Sequence, residues 1–311
     1  MELPLISIVL PTYNGSKFIA QSIESCLQQT YANFELIIVD DCSTDSAPEI
    51  IRSFAQKDNR IRVIRNEKNK KLPLSLNTGF EVATGKYFTW TSDDNYYAPT
   101  ALAEMVKLLE SDEAHGLVYA NYTTIDDNDK VTGTISFGDV NESMVTWKGC
   151  GACFLYRAGI HHQLKGYDAS AFLIEDYDFF IRALTITRFY YLNRHDLYFY
   201  RMHAGSLTSL YGFYNFDLQK IVIERQLPAL LRIASKKDKA LWFRKFAVYY
   251  GVTKNNISRM EHYLKQLYDV SFKQTIVTIA YIAARKLAVF FSVSIAAIWI
   301  FIKLLLRINK K

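Results

Sequence analysis

The chain has 311 residues, 50% hydrophobic and 14% aromatic, enough to bury a core in one large domain or two smaller ones and too apolar for a disordered protein. Its net charge of +6 belongs to the tail: Lys273 to Lys311 holds seven basic residues and no acidic one, which leaves about −1 for the rest. That distribution excludes a nucleic-acid-binding surface spread over the body.

The first 120 residues alternate short apolar runs with helical patterns. Leu5–Leu10 reads as a strand ended by Pro11, and no basic region precedes it as in a secretory signal. Ile19, Ile23 and Leu27 then recur at helical spacing through Gln29. Phe34–Val39 is a second strand closed by Asp40-Asp41, and a helix over 47–56 follows Ser43, Thr44 and Asp45 as N-cap candidates. Arg60–Arg65 is a third strand, 73–83 a helix, and Lys86–Trp90 a fourth strand running into Ser92-Asp93-Asp94-Asn95. Pro99 opens a helix to Leu109, and Gly116–Ala120 is a fifth strand. This alternation predicts an α/β fold with a mostly parallel sheet and right-handed crossovers. Ligands of such sheets sit at the carboxyl ends of the strands. Three strand ends here carry polar clusters, Thr12-Tyr13-Asn14, Asp40-Asp41-Cys42-Ser43 and Ser92–Asn95, so they are expected to share one crevice.

From Tyr122 to Val145 the sequence is polar and hairpin-like. A Gly-rich apolar stretch (WKGCGACFLYR), an acidic helix start (IEDYDFFIRAL) and an aromatic strand-like segment ending in YRMHAGS follow. Beyond Tyr211 only helical patterns remain, which places a boundary near residue 210 and divides the chain into 1–210 and 211–311. Cys26, Cys42, Cys150 and Cys153 are too few and scattered for a disulfide framework, and Cys150-Gly-Ala-Cys153 has no second pair at zinc spacing. These read as buried thiols in a reduced, cytosolic body. His161-His162 reads as exposed or loosely packed.

The segments SIVLPTYNGSKFIAQSIESCLQQTYANFELIIVDDCSTDS and NTGFEVATGKYFTWTSDDN resemble the family 2 glycosyltransferases, and the likeness runs over about residues 5–210. It implies a GT-A fold, a Rossmann-like sheet flanked by helices, with residues 1–120 binding a UDP-, GDP- or dTDP-sugar and 121–210 facing the acceptor. Pro11, Thr12, Tyr13 and Asn14 would then cradle the base, Asp40 would reach a base N–H or ribose hydroxyl, and Lys71 would approach the diphosphate. Asp41 is expected to order its loop and cap the next helix. Asp93 and Asp94 would divide between ribose and a Mn²⁺ or Mg²⁺ ion, with His203 returning to the diphosphate or metal. Carboxylates suit that task because a departing diphosphate needs its charge neutralised by a hard cation. Thr91 stands where many family members keep a first acid, which leaves the division of labour between Asp93 and Asp94 open. The resemblance makes Asp176 the base that takes the acceptor proton, with Glu175 assisting or structural. The helix dipole alone also stabilises acids at this helix start.

Leu287 to Ile302 is sixteen residues without a charge, about 24 Å as a helix against a hydrocarbon core of about 30 Å, with cations on both sides. A short span, an interfacial helix and a buried bundle or oligomer face all fit that pattern. The expectation is a membrane-associating C-terminal segment. The combined reading is a metal-dependent inverting hexosyltransferase acting on a sugar or lipid-linked sugar. Its place would be bacterial surface polysaccharide or glycolipid synthesis at the cytoplasmic face of the inner membrane. The rivals are a sugar nucleotidyltransferase, which needs a Gly-rich activation loop that PTYNGSKF does not provide, and an inactive carbohydrate-binding or scaffold subunit. Two surviving acidic pairs speak against the second.

Overall fold

The computed structural model describes residues 3–212 and 216–287. The chain divides into two compact units at Leu230/Leu231. The first begins with β1 (Ile6–Thr12), α1 (Ile19–Leu27), β2 (Phe34–Asp40), α2 (Ala47–Ala55), β3 (Ile61–Arg65), α3 (Leu72–Glu81) and β4 (Tyr87–Trp90). It continues through β5 (Tyr96–Tyr97), α4 (Ala101–Ser111), β6 (His115–Ala120), β7 (Tyr122–Ile125), β8 (Val131–Ile135), β9 (Cys153–Arg157) and α5 (Ala158–Leu164). Then come α6 (Glu175–Leu184), β10 (Arg188–Leu192), β11 (Tyr198–Arg201), α7 (Leu207–Tyr211) and α8 (Phe216–Ile233), whose residues through Leu230 belong to this unit.

The main sheet runs β10-β6-β9-β4-β1-β2-β3. β4, β1, β2 and β3 are mutually parallel, as are β10 and β6. The antiparallel strand β9 joins the two sets. Every residue of β1 is buried, which is why its sequence is mostly apolar rather than alternating, with Ser7 satisfied by donating to Glu35 at 2.6 Å. The strand does not stop at Pro11 but continues to Thr12. Pro11 and Thr12 pair only with Val39 and Asp40 of β2, beyond the last β4 partner at Val9, where a missing N–H disturbs one side at most. A second sheet, β5-β11-β7-β8, carries the hairpin expected after Tyr122.

The helix α5 and the two-residue strand β5 had no sequence signal of their own. α5 also corrects the expectation for His161, which is buried rather than exposed. Its Nδ1 lies 3.2 Å from the Tyr156 hydroxyl, and its ring packs 4.6 Å from Phe80. Burial holds this imidazole down at about 4, so it is neutral at neutral pH. His162, its neighbour, is exposed. The four cysteines are free; Cys42 is only partly buried, against expectation, whereas burial pushes the Cys26, Cys150 and Cys153 thiols up.

The second unit contains α9 (Lys236–Val248), a wider turn over Tyr249–Thr253, α10 (Ile257–Val270) and a helical stretch over 272–287. That last stretch buries Thr275, Thr278 and Ile282 and exposes Phe272, Ile276, Val277, Ile279 and Leu287. No described helix is long and apolar enough to cross a membrane. The apolar run continuing to Ile302 lies outside the described residues.

Candidate active site

The carboxyl ends of β1, β2 and β4 open into a cleft of about 690 Å³ in the first unit. Pro11, Thr12, Tyr13, Asn14, Lys71, Asp93, Asp94, Glu175, Asp176 and His203 all line it. Ten of the eleven residues singled out from the sequence therefore meet at one place.

The exception is Asp40. It is 2% exposed, and both of its oxygens are engaged away from the cleft: Oδ1 accepts from the Ser43 N–H at 2.9 Å and Oδ2 pairs with Arg65 at 2.8 Å. Its neighbour Asp41 lines the cleft instead. Asp41 accepts from Asn66 Nδ2 and the Lys70 N–H through one oxygen and from the Lys71 N–H through the other, all within 2.9 Å. These bonds hold Lys71 at φ +71°, the left-handed region, at the start of α3. Asp41 thus orders the 66–71 loop that leads into α3 rather than capping α2, and in doing so presents Lys71 to the cleft.

Asn14 is also left-handed (φ +57°), and its side-chain oxygen accepts from the Thr44 N–H at 2.8 Å. Its own N–H donates to Ser43 Oγ at 3.0 Å. The loops after β1 and β2 are thereby tied together, leaving the Tyr13 ring 51% exposed on the cleft wall.

At the end of β4 the acids have distinct surroundings. Thr12 Oγ1 donates to Asp93 Oδ2 at 2.5 Å. Burial, and then the charge of Asp94, raise the Asp93 carboxyl to about 7 despite that bond. Asp94 Oδ2 lies 3.0 Å from His203 Nε2, whereas Asp94 Oδ1 is buried without a partner. The bond to Asp94 raises the His203 imidazole above its ordinary value. Thr91 faces the core, 1% exposed, with its hydroxyl 2.7 Å from that of Tyr198. An acid at this position would point into the sheet packing rather than at a ligand.

Asn95, named at this strand end but given no role of its own, and Arg201, which sequence reasoning passed over, frame this loop. Asn95 accepts from the Arg201 N–H at 2.7 Å. Arg201, 1% exposed, donates to the carbonyls of Asp94 and Asp126 and to the side chains of Gln21 and Asp129. The only sequence hint was its place in YRMHAGS.

On the opposite wall α6 begins with Glu175 and Asp176. Glu175 is 6% exposed and its Oε2 is buried without a partner. Burial, and then the charge of Asp176, raise Glu175 to about 8. Burial raises Asp176 to about 6 against the pull of the Tyr177 N–H, which Asp176 Oδ1 accepts at 2.6 Å. Gly149 and Gly151, both at positive φ, and the chain from Phe172 to Tyr177 complete this wall. Leu218 and Gln219 of α8 also reach it.

An orphaned, buried carboxylate oxygen at Asp94 suits a hard divalent cation. Among the described residues no three His, Cys, Asp or Glu side chains form a metal cage, so such an ion would draw its remaining oxygens from substrate and water.

The sequence profile described as Glycosyl transferase family 2 matches residues 7–166. Relatives include EpsE of Bacillus subtilis strain 168, 34% identical over 185 residues, which are 58% of this chain and 66% of EpsE. Glycosyltransferase GlyG of Streptococcus pneumoniae serotype 4 is 36% identical over 125 residues, 40% of this chain and 41% of GlyG. The alignments thus span less than two thirds of either relative. The fold is similar to that of Staphylococcus aureus TarS solved with UDP-GlcNAc (TM-score 0.59, 15% identity, 90% of this chain and 92% of that one). It is also similar to that of the mannosyltransferase PcManGT of Pyrobaculum calidifontis with GDP-Man and Mn²⁺ (TM-score 0.56, 14% identity, 95% and 81%).

Proposed function

As a member of glycosyl transferase family 2 with a GT-A-like fold, this chain is a glycosyltransferase, and we propose that it moves a sugar from a nucleoside diphosphate sugar to a hydroxyl acceptor by one inverting displacement. The observation that supports this most is the convergence of three strand-end clusters and the α6 acids on one cleft. Pro11, Thr12, Tyr13 and Asn14 receive the nucleoside, with Asp41 rather than Asp40 on that side. Asp93, fixed by Thr12, faces the ribose. Lys71 approaches the diphosphate.

Asp94, with His203 against its other oxygen, would hold a Mn²⁺ or Mg²⁺ ion whose charge stabilises the departing diphosphate. The α6 pair divides by its environment. At neutral pH Glu175 keeps its proton, while Asp176, the less raised of the two, is the carboxylate able to accept one. Asp176 therefore takes the acceptor proton as the new bond forms at the anomeric carbon and the bond to phosphate breaks. No covalent glycosyl-enzyme is needed.

The acceptor is a sugar or lipid-linked sugar of a bacterial surface polysaccharide or glycolipid. The enzyme reaches it at the cytoplasmic membrane face through its basic, apolar C-terminus. A binding panel of UDP-, GDP- and dTDP-sugars with and without Mn²⁺, followed by transfer assays, tests the donor reading. Failure of every nucleotide sugar to bind would overturn it.

A further inference from the structure

We infer that Arg225 on α8 is a positioning residue of the acceptor wall, clasping together the two ends of the segment that carries Glu175 and Asp176; this rests on the base role proposed for Asp176. One amino group of its guanidinium lies 3.0 Å from Asp168 Oδ2 and the other 2.5 Å from Asp178 Oδ1. Those two carboxylates bracket Phe172, Leu173, Ile174, Glu175, Asp176 and Tyr177, every one of which lines the cleft. A single side chain from α8 thus closes an eleven-residue arch, Asp168 to Asp178, whose inner surface faces the cleft.

Both footings of the arch are fixed independently. Asp168 Oδ1 accepts from the N–H and hydroxyl of Ser170 at 2.8 and 2.7 Å. Asp178 is fully buried, and its second oxygen accepts from Arg182 Nε at 2.8 Å. Arg182 also donates to the carbonyls of Leu164 and Gly166 at 3.0 and 2.9 Å. Inside the arch the N–H groups of Ala171 and Ile174 donate to the carbonyls of Asp168 and Ala171, at 3.0 and 2.9 Å, but two positions have poor local support. Leu173 sits at φ +77°, a costly conformation for a side chain with a β-carbon, and Ile174 at the N-cap makes no capping bond.

The bond to Arg182 leaves the buried Asp178 with a cation even without Arg225, so charge balance does not require Arg225. What Arg225 adds is the tie from one end of the arch to the other. Leu218 and Gln219, which reach the cleft from the same helix, sit about two turns before it.

Replacing Arg225 with Met, and separately Asp168 with Asn, tests this in the full chain. In Arg225→Met, amide hydrogen exchange should quicken over residues 169–177 while the β-strands keep their protection. The transfer kcat should fall about 10- to 100-fold, with the donor KM unchanged. Arg225→Lys, which can hold only one of the two carboxylates, should recover part of that loss. Asp168→Asn should show a smaller loss, and adding it to Arg225→Met should change nothing further. Unchanged exchange over 169–177 in both variants overturns the clasp, as does faster exchange with wild-type kcat. The exchange readout involves no substrate. If Asp176→Asn retained full transfer while Arg225→Met still loosened the arch, the base assignment would fall and the clasp would stand.

Discussion

Glu175 and Asp176 are adjacent and both are raised by burial, Glu175 further by the charge of Asp176, and the proposed division of roles follows that order. Asp176→Asn should lower transfer about 10²- to 10⁴-fold while leaving nucleotide-sugar affinity intact. Retained transfer in a kinetic assay would remove it from the base role. Because the base must be ionised, kcat/KM should fall as pH drops through about 6. The same shifts have a consequence for stability. Asp93, Glu175 and Asp176 bind protons in the folded chain at pH values where the unfolded chain has released them. Each therefore costs stability as pH rises from its ordinary value through its raised one. Glu175→Gln should accordingly melt about 2–4 °C above the parent near pH 8, and at the same temperature near pH 4, where both forms are neutral. A gain of equal size at both pH values would refute the titration argument.

At the scale of the element, the end of β4 decides where an acid can act. Thr91 belongs to the buried face, bonded to Tyr198, whereas Ser92, Asp93 and Asp94 line the cleft. Installing an acid by Thr91→Asp should therefore not tighten Mn²⁺ binding. It should instead cost on the order of 1–3 kcal/mol, because the new carboxyl is buried beside a phenol with no cation. Calorimetry of Mn²⁺ binding together with thermal melting checks both halves. Tighter Mn²⁺ binding at undiminished stability would show that the loop turns over and that the assignment of Asp94 is wrong. Arg201 explains why the loop is held so firmly, since it draws Asp94, Asp126, Gln21 and Asp129 around one buried guanidinium.

At the scale of the whole molecule, the profile match ends at residue 166, before the α6 acids, His203 and the second unit. The helical stretch over 272–287 carries an exposed row of Phe272, Ile276, Ile279 and Leu287, with Lys273, Arg285 and Lys286 beside it. Removing residues 272–311 should abolish co-sedimentation with phosphatidylglycerol vesicles yet leave nucleotide-sugar binding unchanged. Undiminished co-sedimentation would put the membrane-binding surface elsewhere. The alternation of strands and helices and the start of α6 were legible in the sequence, because periodicity is written within a few consecutive residues, whereas the caps were not: the N-cap of α2 is Ser46, without a side-chain bond. Tertiary structure alone decided that Asp41 and not Asp40 meets the cleft, since adjacent side chains at a strand end point to opposite sides. It alone placed β9 antiparallel between β4 and β6, and Thr91 against Tyr198, 107 residues away. It alone brought Arg225 onto Asp178 across 47 residues of chain. Such contacts are set by how whole elements pack, and no local pattern in one sequence encodes them.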